Sequence, residues 1–238
     1  MVGVCNKLNQ TKLSNKLPEV MKLANITSIW KKKNSQLSLA NDRGIFVLTV
    51  VRMLMDRMLY NEYYPSLEEK MSPSNIGAMR KKNIRNHLFI LYGIMNSVIN
   101  GNADCIDIQI YDVIQCFDAL WLEDCMLDMY YATPDGQHND KLALIYKANE
   151  ENKVAVKTPM GITERESIPT IVMQGGTFGP MQCSNSIDSI GKKCISRQEH
   201  LYSYKNLVKV TPLAMVDDLL AVAPCGIESL AVNVFINS

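Results

Sequence analysis

Two adjacent carboxylates, Asp217 and Asp218, interrupt the apolar stretch Leu213–Val222. An apolar stretch of this length, preceded by the polar residues Lys209 and Thr211, is typical of a buried strand or a hairpin. Burying an ionised carboxylate is unfavourable unless the group is paired or binds a metal. Neighbouring residues of a flat strand point to opposite faces, whereas a hairpin turn can present both carboxylates to one site. The alternative is an ordinary Asp-Asp turn between two strands.

A third carboxylate stands at the end of a predicted strand. Cys105–Asp112 alternates isoleucines with polar residues, which is the period of a strand, and the strand ends on Asp112. The segment from Val113 to about Ala132 is predicted to be helical. The sequence therefore predicts a carboxylate at the end of a strand, followed by a helix.

A glycine-rich turn, Gln174–Pro180, precedes another predicted helix. Proline is favoured in the first turn of a helix, and the expected inner stripe comprises Met181, Ile187, Ile190 and Cys194. A glycine-rich loop before a helix can approach a nucleotide closely. The turn lacks the Gly-Lys-Ser/Thr ending of a phosphate loop and the Gly-x-Gly-x-x-Gly spacing of a dinucleotide site, so both are excluded.

The other elements are predicted from periodicity. Helices are expected at Ile45–Tyr60, with Pro65 closing the segment, at Ile84–Asn100 and at Leu142–Asn149. The second of these carries Leu88, Leu91, Met95 and Val98 on one face. Strands are expected at 24–30 and 153–157.

Charge is divided unevenly along the 238 residues. Residues 1–100 contain 15 Lys and Arg against 6 Asp and Glu, whereas the rest contains 10 against 18. Two basic clusters, Lys31–Lys33 and Arg80–Arg85, account for much of the excess. This asymmetry suits a protein that binds a polyanion with one part and cations with another, although solvated surfaces would produce it too.

The seven cysteines show no Cys-x-x-Cys pair and no zinc-like spacing with the three histidines. We therefore expect reduced thiols in an intracellular compartment, with nucleus and cytoplasm not distinguished, and no structural zinc. A signal peptide and a membrane span are not expected. An unrelated metal-dependent hydrolase would need a histidine or carboxylate cluster that the sequence does not offer.

Three motifs in order carry a family resemblance. The first is Asp112 with Phe117, which lies in the sequence Cys116-Phe117-Asp118-Ala119. The second is Gln174–Pro180, and the third is the hairpin bearing Asp217-Asp218. Together they resemble the polymerase core of reverse transcriptases, and the sequence around Phe117 is similar to that of the non-LTR retrotransposon branch. The segments Asn41–Ile45 and Gly77–Arg85 resemble the fingers motifs of those enzymes.

The resemblance implies an α+β fold. An antiparallel palm sheet, with helices on one face, would carry Asp112 and the Asp-Asp hairpin, beside a basic fingers subdomain. Residues 1–23 are expected to be a polar leader, and 24–238 the reverse transcriptase core, with fingers over about 24–104 and palm over about 105–238. The core is expected to be truncated after the hairpin, with the thumb missing and the remainder of a larger retroelement polyprotein absent.

The implied activity is that of an RNA-directed DNA polymerase, with an RNA template, a DNA primer and dNTPs as partners and no membrane. Nucleotidyl transfer passes through an anionic transition state that two Mg²⁺ ions about 3.5–4 Å apart stabilise, with Mn²⁺ as a substitute. Mg²⁺ prefers carboxylate and phosphate oxygens. The implied catalytic residues are Asp112, Asp217 and Asp218, and the implied metal ligands are these three together with the carbonyl of Val113.

The resemblance also implies substrate contacts. Phe117 would lie under the incoming sugar and exclude a 2′-hydroxyl, and Gln174 with Gly175 would contact the template–nucleotide pair. From the residues alone, Phe117 is equally a core side chain, and Gln174-Gly175 an ordinary turn.

The basic residues would contact phosphates. Arg43, with a lysine of the first cluster such as Lys32, would hold the triphosphate. Arg80 and Lys81 would contact the template backbone.

The sequence departs from the family at several points. Met215-Val216 replaces an aromatic and a small residue before the carboxylates, and Gly176–Gly179 replaces the usual Asp-Pro-Leu-Ser. Ala78-Met79 stands where an aromatic is common. The alternative function is a truncated or domesticated fragment that binds nucleic acid without synthesis.

Overall fold

The computed structural model describes residues 17–32, 41–101, 105–113, 116–133, 138–150, 152–168, 172–197, 202–204 and 208–225. Most of the predicted leader, residues 1–16, lies outside them. The chain forms two compact units. The first unit contains residues 1–70 and 117–182, and the second contains 71–116 and 183–238.

Six helices and ten strands are described. The helices are α1 (Val50–Lys70), α2 (Ile84–Ile99), α3 (Cys116–Ala119), α4 (Leu122–Tyr131), α5 (Asn139–Asn149) and α6 (Gly179–Arg197). The strands are β1 (Leu23–Trp30), β2 (Asp42–Leu48), β3 (Ile106–Asp112), β4 (Asn152–Thr158), β5 (Gly161–Ile162), β6 (Glu166–Ile168), β7 (Ser203–Tyr204), β8 (Val208–Lys209), β9 (Leu213–Met215) and β10 (Asp218–Pro224). A 3₁₀ turn, Glu19–Lys22, precedes β1.

The first unit is built on a five-stranded sheet. Strand β1 pairs antiparallel with β2 and parallel with β4, and β4 also pairs antiparallel with β5 and β6. Alternate side chains of the central strands are apolar, so one face of the sheet can be buried. The core formed there consists of Ala24, Phe46, Leu48, Val154 and Met173.

Helix α1 differs from its prediction at both ends. Ile45 and Leu48, which were expected on the helix, belong to β2, and the helix begins at Val50. Pro65 lies inside the helix rather than after it. A proline removes one helical hydrogen bond. Here the packing of Tyr63, Tyr64 and Leu67, all buried, outweighs that loss and carries the helix on to Lys70.

The predicted helix after Val113 is described as two pieces, α3 and α4, separated at Leu120-Trp121. The predictions for α5, for β1 and for β4 agree with the structure to within a few residues.

The second unit contains a three-stranded antiparallel sheet in the order β3-β10-β9. Ile187, Ala214 and Leu219 form one buried cluster near the β9–β10 turn. A second cluster consists of Ile94, Tyr202 and Val222, with half-buried side chains packed around it: Leu91, Ile106, Val210 and Leu220. The predicted strand over Cys105–Asp112 is present as β3, although Ile110 on it is exposed.

Helix α2 has nearly the predicted bounds, and only part of its predicted apolar face is packed. Leu88 and Met95 are exposed, and the buried residues are His87, Ile94 and Ser97. The helix is apolar on almost every side, so its periodicity does not identify the side that packs.

The cysteines differ from the prediction that their thiols are reduced. The structure pairs Cys105 with Cys225 and Cys116 with Cys183 as disulfides, so these four are not the reduced thiols that were predicted. The partners are 120 and 67 residues apart, and a search for short spacings cannot find such pairs. Cys125 is buried and belongs to neither disulfide.

None of the helices in the described part of the chain is long and apolar enough to cross a membrane.

Candidate active site

The Asp-Asp pair occupies a tight turn between β9 and β10. Met215 and Asp218 are paired across the two strands, so Val216 and Asp217 form a two-residue loop. Two-residue hairpin loops need a positive φ, which glycine adopts without strain. Val216 adopts it instead, with φ of 58°, and a β-branched side chain makes this conformation unfavourable. The turn that presents Asp217 is therefore held in place by its surroundings.

The segment Ser74–Gly77 supports this turn. Ile76 N–H donates to Ala214 O at 2.9 Å, and Ala214 N–H donates to Ser74 O at 3.1 Å. A Cβ at Gly77 would overlap the backbone nitrogen of Val216, so only glycine allows this approach.

A buried hydrogen-bond network fixes the supporting segment. The Asn75 amide donates to Ser184 O at 2.7 Å, and the Ser184 hydroxyl lies 2.8 Å from Asn75 Oδ1 and 2.9 Å from Gly77 O. The Gly77 N–H donates to Asn75 Oδ1 at 3.0 Å. Asn75 and Ser184 were not identified from the sequence. Because they are 109 residues apart, no local pattern links them.

Strand β3 brings Asp112 to the hairpin. Asp112 and Asp218 are directly opposite in the antiparallel β3–β10 ladder, and the Val113 N–H donates to Asp217 O at 3.2 Å. Residues opposite each other in an antiparallel pair point to the same face, with Cβ atoms about 4.5–5.5 Å apart. Two like charges in that position are unfavourable for folding. The structure therefore gathers all three predicted carboxylates at one end of the β3–β10 pair.

The electrostatics of the site follow from this geometry. Partial burial, together with the negative charges of Asp217 and Asp112, raises the pKa of Asp218 above its usual value. A cation bound at the carboxylates would reverse this effect, since it favours the ionised form.

The donor chemistry of the site fits Mg²⁺, because carboxylate and backbone carbonyl oxygens are the hard ligands that this ion takes. Among the residues that the structure describes, no three His, Cys, Asp or Glu side chains are arranged as a ready metal site. Mg²⁺ commonly uses only one or two carboxylates and completes its shell with water and substrate phosphates. A pair of carboxylates opposed across two strands satisfies that smaller requirement.

The glycine-rich turn packs against β2 in the first unit. The Phe46 N–H donates to Gln174 O at 2.8 Å. Gly175 has φ of 107°, and a Cβ there would lie 2.6 Å from Phe46 O, so both conformation and space require glycine. Phe117 is half-buried and lies against Gly179 at the start of α6.

The two predicted triphosphate ligands lie on one hairpin. Arg43 is exposed on β2, opposite Ile29 of β1, and Lys32 is exposed just after β1. In the second unit, Arg80 and Lys81 are exposed in the turn before α2. The predicted residues are thus divided between the units: Lys32, Arg43, Phe117, Gln174 and Gly175 in the first, and Arg80, Lys81, Asp112, Val113, Asp217 and Asp218 in the second.

Solved telomerase structures resemble this chain over nearly its whole length. Apo telomerase from Candida tropicalis, truncated from its C-terminal domain, has a TM-score of 0.62 at 13% identity and covers 99% of this chain and 52% of that chain. The fold is telomerase-like. A second apo telomerase structure from Candida tropicalis has a TM-score of 0.63 at 12% identity, covering 99% of this chain and 46% of that chain.

A telomerase from Candida albicans, in complex with a fragment of telomeric RNA, has a TM-score of 0.59 at 12% identity, covering 98% of this chain and 42% of that chain. At such identities the similarity shows the fold alone, the mixed α+β fold that telomerases share with reverse transcriptases. The chain spans about half the length of these telomerases or less. No family model matches the chain, and no curated protein matches it.

Proposed function

We propose that this chain is the core of an RNA-directed DNA polymerase of the non-LTR retrotransposon type. It would transfer nucleotides from dNTPs to the 3′-hydroxyl of a DNA primer along an RNA template. The observation that carries the proposal is the placement of Asp112 opposite Asp218, with Asp217 in the adjoining turn, on a telomerase-like fold. The β3-β10-β9 sheet would be the palm, and the basic residues of the first hundred would belong to the fingers.

The carboxylates would hold two Mg²⁺ ions, or Mn²⁺ in their place, together with the carbonyl of Val113. When bound, these ions lower the pKa of the attacking hydroxyl and neutralise the leaving pyrophosphate. Asp112 and Asp217 are proposed as the principal ligands. Asp218, opposite Asp112, would assist one ion or orient Asp217.

The remaining residues would position the substrates. Phe117 would exclude a ribose 2′-hydroxyl, and Gln174 with Gly175 would contact the template–nucleotide pair. Arg43 and Lys32, exposed on one hairpin, would bind the triphosphate through charge-assisted hydrogen bonds.

Arg80 and Lys81 would contact template phosphates. The protein would act inside the cell. The core would come from a larger retroelement polyprotein.

The second candidate is a polymerase fold that binds nucleic acid without synthesis. The exposed basic residues Lys32, Arg43, Arg80 and Lys81 favour it, because contacts of this kind with phosphates need no metal site. Both candidates predict nucleic-acid binding, so only synthesis distinguishes them.

A primer-extension assay on an RNA template with Mg²⁺ tests the proposal. Wild-type protein should extend the primer, and Asp112→Asn should lower the rate by orders of magnitude because metal stabilisation of the transition state is worth several kcal/mol. Asp107→Asn is the matched control, since it removes a carboxylate from the other end of β3. Binding of primer–template without extension in Mg²⁺ or Mn²⁺ would instead establish the second candidate.

A further inference from the structure

Helix α2 exposes more apolar surface than a helix at the surface of a soluble protein normally does. Of its sixteen residues, only His87, Ile94 and Ser97 are buried. Phe89 and Tyr92 are 78% and 70% exposed. Exposed apolar surface of this extent generally marks an interaction site.

The outermost side chains of α2 form an ordered stripe. Arg85, Phe89 and Tyr92 follow an i, i+4, i+7 spacing, so they lie on one face of the helix. That face is opposite the one that buries His87 and Ile94. We call these three residues the α2 stripe. It presents a guanidinium and two aromatic rings in a row to solvent.

A cationic cavity adjoins the stripe. It has a volume of about 460 Å³, and its lining includes Lys81, Lys82, Arg85 and Phe89. Lys82 Nζ contacts the carbonyl of Pro73 at 3.4 Å, and none of the three cations is in an ion pair with a carboxylate of the described residues. Helix α2 contains no acidic residue. The cavity and the stripe together are therefore strongly positive.

The start of the helix is rigidly built. The Asn83 side chain accepts a hydrogen bond from the Arg85 N–H at 2.9 Å, and the Asn86 side chain accepts one from the Asn83 N–H at 3.0 Å. This capping box satisfies the backbone at the first turn. The first turn, which carries Arg85, is thereby fixed beside the cavity.

This chemistry selects one class of partner. Cations that are in no ion pair with a described carboxylate favour a polyanion, and exposed aromatic rings favour flat apolar groups. Single-stranded nucleic acids combine both, because their phosphates are anionic and their unpaired bases can stack on aromatic side chains. Bases in a duplex are stacked on each other and offer only their edges.

We propose that the α2 stripe, with the adjoining cationic cavity, binds single-stranded nucleic acid by stacking bases on Phe89 and Tyr92 while Lys82 and Arg85 contact phosphates. The inference deepens the proposed function and rests on it for the class of partner. The bound strand lies outside any primer–template duplex.

The test measures the binding of labelled oligo(U) and oligo(dT) by fluorescence anisotropy, without dNTPs, in protein that carries Asp217→Asn. Phe89→Ala and Tyr92→Ala should each raise Kd by about five- to a hundred-fold. Phe89→Trp should retain binding, since it preserves a stacking surface. The matched control is Tyr131→Ala on α4, which removes a ring that is 73% exposed.

The cations are tested by salt dependence. Lys82→Gln and Arg85→Gln should each lower the slope of log affinity against log salt by about 0.7, the value for one phosphate of a single strand. Lys157→Gln, an exposed lysine on β4, should leave the slope unchanged.

Three results would overturn the inference. One is an unchanged Kd in Phe89→Ala and Tyr92→Ala, and another is an equal loss in Tyr131→Ala. The third is a wild-type dimer in sedimentation that Phe89→Ala disrupts without weakening oligonucleotide binding, since α2 would then bind a second copy. The binding test uses protein in which polymerisation is disabled. A negative result for the α2 stripe therefore leaves the primer-extension result unaffected, and a negative primer-extension result leaves the binding test unaffected.

Discussion

At the scale of single residues, the unusual feature is a like-charged pair placed directly across two strands. Asp112 and Asp218 face each other, and Asp217 adds a third carboxylate in the adjoining turn. Like charges in this position oppose folding by about 0.2–1 kcal/mol relative to neutral side chains. A sequence under no functional constraint gains stability by losing either charge. Binding of a cation is the simplest compensation for such an arrangement.

Asp218→Asn should stabilise the metal-free protein at neutral pH. Because the pKa of Asp218 is raised by burial and by its acidic neighbours, the folded state holds this proton more tightly than the unfolded state does. That contribution to stability is fully present below pH 3.8, the ordinary pKa, and is lost as the pH rises through the raised pKa. The variant avoids the loss, so it should exceed wild type by up to about 1 kcal/mol at neutral pH.

Urea unfolding of both proteins, measured from pH 3 upwards in EDTA, checks this prediction. The difference in unfolding free energy between the variant and wild type should vanish at the most acidic pH measured. Added Mg²⁺ should reduce this difference in unfolding free energy at neutral pH, because an ion that binds only the folded state stabilises wild type by mass action. A variant that is less stable than wild type at neutral pH would contradict the argument.

At the scale of elements, the β9–β10 hairpin depends on a segment far away in sequence. Gly77 lies against the backbone of Val216, and the Asn75–Ser184 network holds Gly77 there. Residue 216 has a backbone conformation that valine alone would not choose. The supporting segment therefore determines the position of the carboxylates as much as the hairpin sequence does.

Gly77→Ala should destabilise the second unit and displace the hairpin. The new methyl group would overlap the Val216 backbone and the Ser184 hydroxyl, and overpacking of this kind costs about 1–3 kcal/mol. Gly93→Ala on α2 is the matched control. It meets no atom within 4 Å and should stabilise the helix by about 0.5–1 kcal/mol.

Thermal unfolding of the two alanine variants measures this difference. Opposite shifts in Tm are expected, with Gly77→Ala lower and Gly93→Ala higher than wild type. Equal shifts in Tm for the two variants would show that the close approach of Gly77 to Val216 does not affect stability.

At the scale of the whole molecule, contacts between distant parts of the chain hold each unit together. In the first unit, the buried guanidinium of Arg52 donates to Asp56 Oδ1 at 2.8 Å, to Met21 O at 3.2 Å and to Asn149 Oδ1 at 2.9 Å. It also donates to the carbonyl of Ala148. One side chain thus joins α1 to the 3₁₀ turn before β1 and to the end of α5.

Arg52→Met should be strongly destabilising. Burial already raises the pKa of Asp56, and Arg52 opposes that effect. Removing the guanidinium leaves a buried carboxylate, two backbone carbonyls and the Asn149 amide oxygen without this donor, which costs about 3–5 kcal/mol. Arg57→Met is the control on the same helix, because Arg57 is exposed and its guanidinium lies over the ring of Tyr60 at 5.6 Å.

Chemical denaturation provides the comparison. We expect a loss of several kcal/mol for Arg52→Met and less than about 1 kcal/mol for Arg57→Met. The double variant Arg52→Met with Asp56→Leu should recover part of the loss, since it removes the uncompensated charge.

Local patterns in the sequence predicted the local features of this structure. Strand β3 and the hairpin bearing Asp217-Asp218 were predicted because alternation and apolar runs are visible within ten residues. The boundary of α1 was wrong because Ile45 and Leu48 fit the period of a helix and that of a strand equally well. The side of α2 that packs could not be predicted, because periodicity shows which residues share a face but not which face is buried.

The support of the candidate site could not be predicted for a different reason. Asn75 meets Ser184 across 109 residues, and Cys105 meets Cys225 across 120. Neither pair has a local signature. The assignment of roles to Asp112 and Asp217 came from a family resemblance, and these roles stay predictions.

The order of the strands has a consequence for the time at which the site forms. Asp112 and Asp218 face each other although 106 positions separate them along the chain. A ribosome adding about 5–20 residues per second needs several seconds to cover that distance. During this interval β3 has no β10 to pair with, and its exposed isoleucines are available to chaperones or to other unfinished chains. The acidic cluster therefore forms only after Asp218 has been synthesised, and a nascent chain that ends before this residue cannot collect cations there.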